Sequence, residues 1–123
     1  MLAAAILAFV LCGLLALFVY CIFLNESNRN LSIAMNHAQY IIEEIRNTPF
    51  SQIESGINNG NWDLDVDAIG ADPYSLTALN NESIDAGVSQ SGDPLGISIT
   101  VGWDDRRQRS RSITLQTLLT NYQ

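Results

Sequence analysis

The sequence predicts an α+β fold: one long N-terminal helix, about residues 1–47, packed by its C-terminal half on a small antiparallel β-sheet. Three patterns carry this. Residues 1–24 contain no charge, proline, Asn or Gln. Apolar residues then recur at Leu31, Ala34, Met35, Ala38, Ile41, Ile42 and Ile45, the 3.6-residue period of a one-faced helix. Near the far end Ile97, Ile99, Val101 and Trp103 alternate with small polar residues, as a half-buried strand does. The chain divides accordingly into an apolar helical spike (1–24), the amphipathic half of the same helix (25–48) and a small β-rich head (49–123).

The opening run exceeds the ~20 apolar residues that span a bilayer. As a helix it is roughly 36 Å long, and a lone segment in lipid has only the helix available because no water satisfies its backbone. It lacks the basic n-region, short apolar core and small-residue cleavage site of a secretory signal, and no Lys or Arg precedes Arg29. The expectation is a chain whose leader has been removed and whose first residues anchor it in a membrane. Gly13, mid-run, lets a neighbouring helix approach closely. Cys12 and Cys21 fall on opposite faces of one helix, cannot bridge, and read as small apolar packers.

The polar patch from Asn25 to Asn30 marks where the spike leaves the apolar layer, with Glu26 and Arg29 spaced as a surface pair. His37, the only histidine, falls beside Ala38 and is expected as a partly exposed helix residue. Asn47-Thr48-Pro49 stops the helix, since proline pushes its predecessor out of the helical region. Phe50, Ile53 and Ile57 suggest one further helical turn before the turn at Asn58-Asn59-Gly60. Residues 61–67 alternate, predicting a strand with Trp62, Leu64 and Val66 inward and Asp63, Asp65 and Asp67 outward. Residues 68–95, dotted with Gly, Pro, Asn and Ser, read as a long loop with a short strand at 74–79. Residues 97–120 form the clearest hairpin, its polar tip at Asp104 to Gln108, with Ile113 and Leu115 on the same face as Val101. The expected core is Leu31, Met35, Ala38, Ile42 and Ile45 against Trp62, Leu64, Ile99, Val101, Trp103, Ile113 and Leu115.

Formal net charge is −7, with no lysine. No Ser-His-Asp set, Gly-rich phosphate loop or paired buried carboxylates stand out, so no catalytic residue and no cofactor is expected. Asp63, Asp65 and Asp67 have the spacing of the first half of a calcium loop, but Ala68 stands where the sharp turn needs Gly and Tyr74 where a bidentate Glu belongs. A solvated strand face is the better reading, with calcium the minor one. Arg106, Arg107, Arg109 and Arg111 cluster at the hairpin tip, while Asp63, Asp65 and Asp67 lie in a stretch with no basic residue. Stacked copies could set one tip against a neighbour's acidic face, giving register more than strength. Without interleaved aromatics, and on an acidic chain, the arginines make a poor DNA footprint. Sequons at Asn25, Asn30 and Asn81 matter only where glycosylating machinery exists.

An apolar spike fused to an amphipathic half helix and followed by a small domain resembles type IV pilins and the related pseudopilins of type II secretion. The likeness rests on Met1 opening the spike, Gly13 within it, the segments Ala38-Gln39 and Glu43-Glu44-Ile45-Arg46, and residues 97–120, which look like the closing hairpin of the minor-pilin and pseudopilin branch. It implies a pilin-like fold and a homo-oligomeric helical filament used in adhesion, motility or protein secretion. Subunits would wait in the bacterial inner membrane until assembly machinery extracts them to the cell surface. Met1 would then be the processed and methylated N-terminus, and Leu2, Ile6, Phe9, Val10, Gly13, Leu14, Leu17 and Phe18 the filament-core packing residues. The chain departs from that pattern at Ala5, where most such proteins carry glutamate, and in having no proline before Pro49. The alternatives are a type II secretion pseudopilin, as tip or minor subunit, and a single-pass membrane-anchored binding module that does not polymerise.

Overall fold

The computed structural model describes residues 2–121. It separates into two compact units, one ending at Asn30 and the other beginning at Leu31. The first helix, α1 (Leu2–Arg46), runs to the proline stop expected from the sequence. Thr48 closes it: its N–H donates to the Ile45 carbonyl at 3.0 Å and its hydroxyl to the Glu44 carbonyl at 3.3 Å. Pro49, which has no N–H to leave orphaned, then opens α2 (Phe50–Asn58).

The second unit is a four-stranded antiparallel sheet in the order β1 (Leu64–Asp65), β2 (Ser83–Gln90), β3 (Leu95–Asp104), β4 (Ser110–Leu119), with a short α3 (Val66–Gly70) after β1. The β3–β4 hairpin is the one the alternation predicts, pairing Ile99 with Leu115 and Val101 with Ile113. Its inward residues Ile97, Ile99, Val101 and Trp103 are buried, as are Ile53, Ile57, Trp62, Leu64, Ile69, Leu79, Ile84 and Leu95, whereas Ile113 and Leu115 are partly buried.

Three expectations are corrected. The stripe that α1 buries is Ala34, His37, Ala38, Ile41, Ile42 and Ile45, and Leu31 and Met35 stay about two-fifths exposed on its flank. The strand expected over 61–67 is only two residues long. Asp65 ends it by accepting the Ala68 N–H at 2.9 Å, an N-cap that starts α3 and turns Val66 out to solvent. The expected strand at 74–79 is irregular backbone, and the expected loop holds β2 instead. There Ile84, Ala86 and Val88 face the same side as Val101, Ile99 and Ile97 of β3. The signal in β2 was weak because Ala and Gly at its centre supply little apolar surface. Its backbone is held by β3, and Gly87 lies so close to Ser98 that a Cβ would stand 3.1 Å from that hydroxyl.

Candidate functional site

Of the first unit, the decisive feature is exposure. The part of α1 from Leu2 to Leu24 carries Leu, Ile, Val and Phe on every face, and Phe9, for example, is 83 % exposed. The helix is long and apolar enough to cross a membrane. Leu2, Ile6, Phe9, Val10, Leu14, Leu17 and Phe18 all stand open, and the space beside Gly13 is empty to 4 Å. Cys12 and Cys21 are free thiols in the same exposed run. Met1, expected as the processing and methylation site, lies outside the described residues.

In the second unit the polar groups that matter are mostly not those the sequence singled out. His37 is buried, contrary to expectation, and its Nδ1 lies 2.7 Å from Glu82 Oε1. Glu82 Oε2 accepts the Leu79 N–H at 2.6 Å, so one buried carboxylate ties α1 to the chain entering β2. The clue was available in the spacing: His37 stands three residues after Ala34 and four before Ile41, inside the stripe. Glu44, also on α1, has Oε2 buried without a hydrogen bond and lies near Tyr74. Burial foremost, and then the charge of Glu44, push the Tyr74 phenol above its usual range. The Tyr74 ring meets Tyr40 edge-on at 6.2 Å.

The arginine cluster is where the sequence placed it, and Asp105 organises it. Its Oδ2 accepts from Arg109 Nε at 3.0 Å and Nη2 at 2.7 Å, and lies 3.7 Å from Arg111 Nε. Oδ1 accepts the backbone N–H groups of Arg107 and Arg109. The Arg109 hydrogen bond, helped by these backbone bonds, holds the Asp105 carboxyl down at about 2. Arg109 is thus engaged within its own tip, which reduces what it can offer to an acidic neighbour, whereas Arg111 makes only the longer 3.7 Å approach and is half-exposed.

The acidic trio is dispersed by the break after β1. Asp63 accepts the Ala86 N–H at 2.9 Å, Asp65 caps α3, and Asp67 lies in the first turn of that helix. Among the described residues no three His, Cys, Asp or Glu side chains gather into a group that could hold a metal ion. A shallow groove of about 470 Å³ runs between α1 and β4, lined by Asn36, Gln39, Tyr40, Ile42, Glu43, Arg46 and Thr117. At one side of it Arg46 pairs with Glu43 at 3.0 Å and reaches the Thr117 hydroxyl at 3.5 Å.

No protein-family profile matches the chain, and neither a curated protein nor a solved structure matches it.

Proposed function

We propose that this chain is a structural, non-catalytic subunit of a type IV pilus-like helical filament, held in the bacterial inner membrane before assembly and bundled through its apolar helices afterwards. One observation supports the reading above all. A single helical element is apolar and exposed on all sides from Leu2 to Leu24, yet buries one stripe from Ala34 to Ile45 on an antiparallel sheet. Holding the first stretch in water is unfavourable by roughly 0.8 kcal/mol for each exposed methylene. Lipid removes that cost in the membrane, and neighbouring copies of the same helix remove it in a filament. A patch of this size on a soluble monomer would be an aggregation site.

Ala5 favours one narrower version, a tip or minor subunit of a type II secretion pseudopilus. Residues 1–24 contain no carboxylate, so this apolar stretch has no acid of its own to partner a neighbour's N-terminal ammonium. A tip position asks for fewer such partnerships than the filament shaft. The test is to shear cells expressing the chain, pellet the released material and image it. Helical filaments containing the chain are expected, and Phe9→Asp should abolish them while the head remains folded. Ala5→Glu impairing assembly of an otherwise abundant filament would count against the tip version. A chain found only in membranes, as a monomer, would establish the anchored binding module instead.

A further inference from the structure

The two edges of the sheet are unlike. On the β2 side, β1 pairs with Ser83 and Ile84, the Asp63 carboxylate takes the Ala86 N–H, and the register shifts between Val88 and Gln90. A short covering strand, an inward-reaching acid and a bulge are the usual means of blunting an edge against further pairing. β4 shows none of them. It is ten residues long, pairs in unbroken register with β3 as its one strand partner among the described residues, and contains no proline and one charge, Arg111. It also borders, through Thr117, the groove between β4 and α1, whose lining includes Tyr40 and Ile42. A free edge beside a helix-walled groove is the geometry that accepts an added strand: the edge provides backbone hydrogen bonds, and the groove takes alternate side chains.

We infer that β4 is a docking edge for an extended segment of a different polypeptide, which adds antiparallel to it and places an apolar or aromatic side chain in the groove beside Tyr40 and an acidic one beside Arg111. Charge complementarity selects the acid, because Arg106, Arg107, Arg109 and Arg111 cluster in sequence at that end of the strand, with Asp104 and Asp105 the acids beside them in the chain. Register sets the spacing. Thr117 and Arg111 are six positions apart on one face, so the incoming strand carries its aromatic first and its acid six residues later. A second copy of this chain paired through its own β4 is the poorer occupant, because that strand has no acidic side chain to set beside Arg111.

The experiment uses the full chain in detergent and the synthetic decapeptide Ac-TFTVTVTETT-NH2, read by amide hydrogen exchange and NMR titration. Saturable binding that slows exchange along β4 is expected, with weaker binding when Phe and Glu are interchanged. Arg111→Glu should weaken the peptide about tenfold, one factor of ten being ~1.4 kcal/mol, and the peptide with Lys in place of Glu should recover it. Tyr40→Ala, which leaves the tip alone, should abolish the preference for Phe over Ala at the second peptide position. Unprotected β4 amides at millimolar peptide on a folded chain, or equal affinity for the Glu and Lys peptides, would overturn the inference. A chain already dimeric, with β4 protected before peptide is added, would assign the edge to a second copy and overturn it too. None of these outcomes depends on whether filaments form.

Discussion

Removing the Glu82 carboxylate by Glu82→Ala tests the buried link between α1 and the sheet. The residue is 2 % exposed and its carboxylate meets two buried groups, His37 Nδ1 at 2.7 Å and the Leu79 N–H at 2.6 Å. Each of these buried polar groups left without its partner costs ~1–3 kcal/mol. A loss of ~3 kcal/mol is therefore expected. In a domain of ~60–100 residues each kcal/mol moves the midpoint by ~4–8 °C, so the head should melt about 12–24 °C lower. The assay is thermal unfolding of the detergent-solubilised chain followed by near-ultraviolet circular dichroism, which reports Trp62 and Trp103, both outside the apolar stretch. His37→Leu combined with Glu82→Leu should lose less than Glu82→Ala, because only the Leu79 N–H is then orphaned. A midpoint within ~4 °C of the parent for Glu82→Ala would refute the reasoning, showing that water or another acceptor replaces the carboxylate.

Gly56→Ala would set a Cβ 2.7 and 2.8 Å from two ring atoms of Trp62, so a loss of ~1–3 kcal/mol from overpacking is expected, with a shifted tryptophan emission. For Asp105, whose folded carboxyl sits at about 2, the sign is that of a depressed acid. Its stabilising effect on the hairpin tip is complete above the ordinary carboxylate range near 4 and is lost as pH falls towards 2. Carboxyl NMR titration should show this, and Arg109→Ala should return Asp105 towards the ordinary value. Tyr74 runs the other way: its raised phenol favours the neutral form when folded, so its contribution is whole below pH ~10 and declines above it. An ultraviolet phenol titration should find one tyrosine ionising late, and Glu44→Gln should bring it partly back.

Where the sequence was legible, local chemistry decided. Proline at position 49 ends α1 wherever the rest of the chain lies, and the alternation of Ile97 to Trp103 pairs with that of Ile113 and Leu115 in one register only. Where it misled, a local pattern met a competing contact. Trp62, Leu64 and Val66 alternate as a strand should, but Asp65 capping Ala68 makes a helix start the better local use of the backbone. Ile84, Ala86 and Val88 form a strand despite the small residues among them because β3 offers an edge to pair with. Met35 and His37 exchanged roles for a similar reason: hydropathy ranks Met inward, yet a carboxylate waiting at Glu82 lets the imidazole occupy the buried stripe.

Composition and periodicity alone settle that a 24-residue apolar stretch opens this chain and that a one-faced helix and a hairpin follow, because hydrophobic burial reads only the order of polar and apolar residues. They are silent on the Glu82 bridge, on Asp105 gathering its arginines, and on the unequal edges of the sheet. Each of these joins residues far apart in the chain or depends on which strand ends up outermost, and such partnerships come into being only when the backbone is folded around them.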